Sequence, residues 1–186
     1  NLEVGSGSHA VQTAEVMKRF EPALDEHKPS CVLVVGDVNS TLACTLVAVK
    51  KNVPVAHVEA GLRSFDRTMP EEINRVLTDQ VADRLYTTER SAADNLLREG
   101  VAAERICFTG NVMIDSLVAN RSKARSAADT LRAHGADPEL LKHPKGYAVV
   151  TMHRPSNVDD AGTLRMLLET LREVSTQLPL VFALHP

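Results

Sequence analysis

Six short runs of apolar, mostly β-branched residues alternate along the chain with segments of helical periodicity. The runs lie at 31–36, 53–58, 85–88, 106–109, 147–152 and 180–184. This order is typical of βαβ units, in which a helix connects two parallel strands. The first run, CVLVVG, is continuously apolar, as expected for a strand that is buried on both faces. The sequence therefore predicts an α/β fold built on a parallel sheet.

Helix-start signals precede two of the intervening segments. A helical pattern follows Ser8 and continues to about residue 27, and Pro22 must kink or divide it. Pro70 suits the first position of a later helix, because the N–H that proline lacks is not needed there. The apolar stripe of this later helix consists of Ile73, Val76, Leu77 and Val81.

The composition changes between residues 119 and 146, where charged and small residues dominate. We therefore predict a first α/β domain over 1–118, a helical connector over 119–146 and the beginning of a second domain over 147–186. The chain begins with Asn1 rather than Met and stops at Pro186, directly after an apolar run. We expect it to be part of a larger protein.

The composition also argues against several functions. The chain has 21 Lys+Arg against 24 Asp+Glu, a net charge of −3, so we expect no nucleic-acid partner. No apolar run reaches the roughly 20 residues that cross a bilayer, so we expect no membrane partner. The three cysteines are scattered through apolar runs. That pattern is typical of reduced core thiols and predicts a cytoplasmic protein.

Polar residues directly follow the first two apolar runs, at the strand ends where open parallel sheets bind ligands. Asp37 follows the first run behind Gly36, where it is equally suited to act as a turn or helix-cap residue. Glu59 follows the second run, and Arg63 comes four residues later. This pair favours an acid/base and anion-binding edge, with an internal Glu59–Arg63 ion pair as the structural alternative.

His57 and Glu59 are two residues apart and would share one face of a strand, which also fits a pair of metal ligands. Two ligands without a third are weak evidence for a metal site. We therefore expect no metal.

A second carboxylate pair, Glu71 and Glu72, falls in the first turn of the helix that Pro70 begins. Adjacent helical positions face about 100° apart, so only one of the two can point into a cleft. The alternative is that both are solvated and only complement the helix dipole.

His153 and Arg154 follow the fifth run and precede a helical segment. Their charges, together with backbone N–H groups, suit a phosphate. No stretch matches the phosphate-loop, dinucleotide-binding or nucleophile-elbow patterns, so those chemistries are poorly supported.

Five stretches together resemble the UDP-N-acetylglucosamine 2-epimerases of the non-hydrolysing bacterial and archaeal type. They are Gly36-Asp37 with residues 40–42, HVEAGLR at 57–63, PEEINR at 70–75, TGNVMID at 109–115, and His153-Arg154. The resemblance runs from about Val11 to Pro186. The order and spacing of HVEAGLR and PEEINR are its most specific part.

The resemblance implies two Rossmann-like domains of the GT-B type in a homodimer, with the first nearly complete here and the second only begun. It implies interconversion of UDP-GlcNAc and UDP-ManNAc for cell-envelope polysaccharide synthesis. UDP would be eliminated to give a 2-acetamidoglucal and then re-added, without a metal or redox cofactor. The implied catalytic residues are Asp37, Glu59, Glu71 and His153, and the implied substrate-binding residues are Arg63, Asn111 and Arg154.

The chain departs from the family at both ends. The family's first strand with its Gly-Thr-Arg-Pro-Glu-like loop has no match, nor has its Asp-Ser-Gly-Gly-like loop, so we expect these 186 residues alone to be inactive. Three alternatives stay open. They are a hydrolysing epimerase that releases ManNAc and UDP, a GT-B glycosyltransferase, and a non-catalytic nucleotide-sugar-binding fragment.

Overall fold

The computed structural model describes residues 1–152 and 154–184 of the chain. The chain divides into two compact units, Asn1–Ala119 and Asn120–Pro186. The first unit contains a parallel sheet of four strands in the order β1-β2-β3-β4, and the second a parallel pair, β5-β6. The predicted α/β class with parallel strands is therefore observed.

The first unit alternates strands and helices. Its strands are β1 (Val32–Val35), β2 (Val55–Val58), β3 (Arg84–Thr87) and β4 (Ile106–Phe108). Its helices are α1 (His9–His27), α2 (Asn39–Lys50), α3 (Pro70–Val81), α4 (Arg90–Arg98) and a short 3₁₀ turn (Ala103–Arg105), and α5 (Val112–Asn120) begins in it. In register, Val34 of β1 lies beside His57 of β2, which lies beside Leu85 of β3. All four strands therefore end at one edge of the sheet.

The second unit is smaller. It contains 3₁₀ turns at Arg121–Lys123 and Pro138–Lys142, the helices α6 (Ala127–Ala133), α7 (Pro155–Val158) and α8 (Ala161–Ser175), and the strands β5 (Ala148–Thr151) and β6 (Leu180–Ala183). Within the described residues, no helix is both long enough and apolar enough to span a bilayer.

Helix α1 shows how local sequence sets an element's limits. The Ser8 side chain accepts a hydrogen bond from the Val11 N–H and caps the helix start. The helix continues to His27 with Pro22 inside it, so of the two expected effects, a kink or a division, the division does not occur. Its buried residues are Val16 and Leu24, and Leu24 belongs to the core of the first unit with Val34, Val47, Val55, Leu85 and Leu96.

Helix α3 is amphipathic in the opposite sense from an ordinary surface helix. Its buried residues are polar: Glu72, Asn74, Thr78 and Asp79. Its apolar residues Ile73, Leu77 and Val81 are 43%, 47% and 39% exposed. The inward face is polar because it lies against the ends of the strands, where loop N–H and C=O groups need hydrogen-bond partners.

The cysteines depart in part from the expected core thiols. Cys31 is exposed, whereas Cys44 and Cys107 are half-buried, and all three are free. Burial raises the pKa of the Cys44 thiol above its ordinary value. The strand begins one residue after Cys31, which therefore stands outside the sheet.

Candidate active site at the carboxyl edge of the first sheet

Asp37 directly follows β1 and is held by α3. Gly36 turns the chain with a φ of +72°, a conformation that L side chains rarely adopt. The Asp37 carboxylate then lies 2.7 Å from Nη2 of Arg75, and its backbone C=O accepts a hydrogen bond from the Asn74 amide. Val38 occupies the cap position of α2 with no side-chain cap bond. Asp37 is therefore an ion-paired, one-third exposed carboxylate (34%) and not a helix cap.

Glu59 follows β2 in a strained conformation. Its φ of +70° is left-handed, which costs a non-glycine residue about 1–3 kcal/mol and is concentrated at functional sites. The half-buried side chain extends over the neighbouring strand end, where Oε2 would lie 3.4 Å from a Cβ added to Gly36. The Glu59 carboxylate thus lies against the residue that precedes Asp37.

Glu71 and Glu72 have different surroundings. Glu72 is buried, and its carboxylate accepts hydrogen bonds from the backbone N–H groups of Ser64 and Phe65 at 3.0 and 2.9 Å. Glu71 is half-buried and lines an open cleft with His9, Ser40 and Asn74. Helical geometry thus leaves Glu71 for chemistry and uses Glu72 to fix the loop after β2.

The Glu72 carboxylate should make stability depend on pH. Burial alone would raise its pKa, but the Ser64 and Phe65 N–H groups, helped by Arg75, outweigh burial and lower it. A lowered folded pKa stabilises the protein above the unfolded value of about 4.3, and this contribution is lost as pH falls through the folded pKa.

We therefore expect Glu72→Gln to lower the free energy of unfolding by about 2 kcal/mol at pH 7, since hydrogen bonds to a charged acceptor are lost. The deficit relative to wild type should shrink as pH falls below about 4. Urea unfolding of both proteins from pH 7 to pH 3 measures this difference. An equal deficit at both ends of the range would contradict the role of the charge.

Arg63 belongs to a buried network under this edge. Its side chain is 1% exposed and pairs with Asp79 at 2.7 Å and with Glu99 at 2.6 Å. Burial alone would lower the pKa of Arg63, but the two carboxylates outweigh it and raise the pKa. The alternative of an internal Glu59–Arg63 ion pair is therefore not observed, because Arg63 pairs with Asp79 and Glu99. The predicted contact of Arg63 with substrate stays a prediction.

His57 is fully buried in the same network. Its Nδ1 lies 2.7 Å from Oδ1 of Asp79, and its Nε2 lies 2.8 Å from the C=O of Gly36. Both ring nitrogens are therefore engaged, and neither is available to a metal ion beside Glu59. In the part of the chain that the structure describes, no three His, Cys, Asp or Glu residues are grouped as metal ligands.

Gly61 joins this network to α4. Its N–H donates to Oδ2 of Asp79 at 3.0 Å, and its C=O accepts from the buried Asn95 amide at 2.9 Å. A Cβ at Gly61 would lie 2.4 Å from the C=O oxygen of Ala92. The loop after Glu59 can thus pack against α4 only because this residue is glycine.

A cleft of about 430 Å³ opens beside Glu71 and the start of α2. It is lined by the N-terminal segment and by the first turns of α1, α2 and α3, including His9, Gln12, Asn39, Ser40, Glu71 and Asn74. Asn39 hydrogen-bonds to His9, Gln12 and Asn74, so the polar wall of the cleft is itself connected. Two acidic groups, Glu3 and Glu71, and several amides thus face a space large enough for a small polar ligand.

Comparison with known proteins identifies the family of this chain. A family model described as UDP-N-acetylglucosamine 2-epimerase matches residues 1–186. The chain belongs to the UDP-N-acetylglucosamine 2-epimerase family. The resemblance drawn from HVEAGLR and PEEINR is thereby confirmed.

Curated members of the epimerase family match the whole chain. A UDP-N-acetylglucosamine 2-epimerase of Methanocaldococcus jannaschii is 40% identical over 188 residues, which cover 100% of this chain and 50% of the relative. A UDP-2,3-diacetamido-2,3-dideoxy-D-glucuronate 2-epimerase of Pseudomonas aeruginosa is 42% identical with the same coverage. The chain thus spans about half the length of the curated relatives it matches.

A solved epimerase shares the fold. The crystal structure of the Methanocaldococcus jannaschii UDP-GlcNAc 2-epimerase in complex with UDP-GlcNAc and UDP matches with a TM-score of 0.84 and 40% identity. The match covers 100% of this chain and 50% of the solved chain. This likeness confirms the expected α/β fold of the GT-B type.

The remaining predicted residues of the epimerase site follow β4 and β5. Asn111 follows β4, and its side chain accepts a hydrogen bond from the Met113 N–H at the start of α5. Arg154 is exposed and follows β5 in the second unit. His153 lies outside the described residues. Substrate contacts by Asn111 and Arg154, and the role of His153, stay predictions.

Sequence reasoning did not single out Arg75 or Asp79. They follow Glu71 by four and eight residues on α3. Positions four apart share a helix face, so the spacing was a usable signal once Glu71 had been chosen. Successive turns of α3 thus supply Glu71 to the cleft, Arg75 to Asp37, and Asp79 to His57 and Gly61.

Proposed function

We propose that the protein carrying this chain is a non-hydrolysing epimerase that interconverts UDP-GlcNAc and UDP-ManNAc. The observation that carries the proposal is the placement of Asp37, Glu59 and Glu71 around one sheet edge, in a chain of the epimerase family. Carboxylates on different elements can face a bound sugar from different sides. Inversion at C2 requires that arrangement.

The proposed reaction has two balanced steps. A carboxylate removes the C2 proton while the bond from C1 to the UDP oxygen breaks, giving a 2-acetamidoglucal and UDP. UDP then adds back to C1 while C2 receives a proton on the opposite face. The steps move a proton and a C–O bond pair without a net change of oxidation state, so no redox cofactor takes part.

The surroundings of each carboxylate suggest its part in these steps. Glu59 and Glu71 make no ion pair among those found in the described residues, which suits proton transfer. Asp37 is paired with Arg75, which suits positioning or assisting. We propose that His153 and Arg154 stabilise the departing diphosphate and that Asn111 contacts the substrate. Arg63, buried between Asp79 and Glu99, would serve substrate binding only by fixing the loop after Glu59.

The activity is tested by incubating the protein, at its natural length, with UDP-GlcNAc in D2O and following the reaction by proton NMR. We expect UDP-ManNAc, deuterium at C2 of both sugars and no net UDP. UDP with free ManNAc would mean a hydrolysing enzyme. An unchanged spectrum from folded protein would overturn the proposal for this substrate, and a UDP-2,3-diacetamido sugar acid would then be tried because the Pseudomonas aeruginosa relative bears that name.

We further infer a homodimer in the cytoplasm that feeds polysaccharide synthesis, and we place its contact on the apolar side of α3. Ile73, Leu77 and Val81 are exposed there, and Phe65 in the preceding loop is 73% exposed. The opposite side of α3 is occupied by strand-end contacts, so these apolar groups are left for another surface. A second copy of the chain fits the homodimer that the family resemblance implies.

Leu77→Glu should convert the dimer to a monomer, because the carboxylate would lose its hydration in an apolar contact. Sedimentation velocity measures the change. Leu97→Glu is the control, since Leu97 is similarly exposed (50%) but lies on α4. A wild-type monomer, or a Leu77→Glu dimer of unchanged affinity, would contradict this placement.

A further inference from the structure

We propose that Asp79 is a positioning residue of the epimerase reaction, which holds the loops bearing Asp37 and Glu59 in fixed relation. This inference rests on the proposed function. Asp79 is fully buried on α3, so it does not contact substrate itself. It acts through two sets of polar contacts, one at each of its carboxylate oxygens.

The first set leads to Asp37. Oδ1 of Asp79 lies 2.7 Å from Nδ1 of His57, whose Nε2 lies 2.8 Å from the Gly36 C=O. A carbonyl only accepts, so Nε2 carries a hydrogen and donates it. The contact between Nδ1 and Oδ1 is then the second hydrogen bond of the ring. Asp79 is thereby linked through one imidazole to the residue before Asp37.

The second set leads to Glu59. Oδ2 of Asp79 accepts from the Gly61 N–H at 3.0 Å and pairs with Nη1 of Arg63 at 2.7 Å. His57 lies two residues before Glu59 and Gly61 two residues after it. Both flanks of Glu59 therefore attach to one carboxylate. A left-handed glutamate persists only when its surroundings over-determine it, and these two attachments do so.

Asp79→Asn separates positioning from simple packing. An asparagine has the same shape, and its amide oxygen can still accept from Gly61 and Arg63. Its NH₂ group then faces Nδ1 of His57, which must become an acceptor, and Arg63 keeps only Glu99 as a charged partner. The contact between residues 57 and 79 is thereby weakened, while the core stays filled.

The test compares steady-state epimerisation of UDP-GlcNAc by wild-type, Asp79→Asn and Asp83→Asn proteins at natural length. Asp83 is the control, because this exposed residue also accepts a backbone N–H through its carboxylate, that of Val55 at 2.8 Å, but at the opposite end of β2. We expect Asp79→Asn to lower kcat on the order of 100-fold with KM changed less than about 3-fold, since displaced catalytic groups slow chemistry more than binding. Asp83→Asn should keep the wild-type kcat. Equal kcat values for the two variants would overturn the proposal.

A second readout does not depend on turnover. In ¹⁵N-labelled protein, we expect Asp79→Asn to shift the ring ¹⁵N resonances of His57 and the amide resonances of Asp37 and Glu59, whereas Asp83→Asn shifts none of them. If wild-type protein does not epimerise, the proposed function fails and these resonances alone judge the link. Unshifted Asp37 and Glu59 amides in Asp79→Asn would overturn positioning by Asp79.

Discussion

Glu71→Gln is expected to lower kcat for epimerisation by about 1000-fold, because general acid–base catalysis contributes roughly 10²–10⁴-fold and the amide cannot transfer the proton. The Glu71 side chain lines the open cleft, and none of the ion pairs found in the described residues includes it. The free energy of unfolding of the Glu71→Gln protein should therefore stay within about 0.5 kcal/mol of the wild-type value. Steady-state rates measure kcat, and urea unfolding measures the free energy of unfolding.

Glu72→Gln is the internal control for this prediction. The residue is adjacent in sequence and in the same helical turn, yet its carboxylate is committed to the Ser64 and Phe65 N–H groups. We expect Glu72→Gln to be less stable than Glu71→Gln, but to retain far more activity per folded molecule. If Glu72→Gln were the inactive variant and Glu71→Gln active, the assignment of the two carboxylates would be reversed.

Glu59→Gln extends the comparison across the site. If Glu59 and Glu71 serve opposite faces of C2, each variant blocks interconversion, while deuterium exchange into unconverted sugar survives in only one of them. The surviving exchange identifies which sugar face the remaining carboxylate serves. Loss of exchange in neither variant would remove both residues from proton transfer.

The fold and the edge that carries the site could be predicted because both depend on short-range patterns. Continuous apolar runs such as 31–36 predict buried parallel strands, and the carboxyl ends of parallel strands meet at one edge. Asp37 and Glu59 could be chosen from that rule alone. Glu71 could be chosen as one of two candidates, but periodicity does not say which of two adjacent residues enters a cleft.

The partners of these residues could not be predicted, because they depend on long-range contacts. Asp79 meets His57 from 22 positions away, and Arg75 meets Asp37 across two elements. The polar inward face of α3 contradicts ordinary amphipathic patterning, since the strand ends need hydrogen-bond partners more than apolar contacts. Arg63 shows how a missing long-range contact misleads an interpretation of the sequence. Its charge suggested an anion-binding site, whereas its side chain is almost wholly buried.

Gly61→Ala is expected to lower the free energy of unfolding by about 4 kcal/mol. A left-handed alanine costs roughly 1–2 kcal/mol, and forcing atoms into a packed region adds about 1–3 kcal/mol. Both apply here, because φ is +80° and the new Cβ would lie 2.4 Å from the backbone oxygen of Ala92. Such a loss is a large part of a domain's total stability, which is typically about 5–15 kcal/mol.

Gly100→Ala separates the two contributions. Gly100 has nearly the same φ, +82°, but a Cβ there would meet nothing within 4 Å. It should therefore cost only the conformational part, about 1 kcal/mol. The difference between the two urea midpoints measures the close packing of the HVEAGLR loop on α4. Equal losses would mean that α4 moves aside freely, and then Gly61 could not hold Glu59 against the sheet edge.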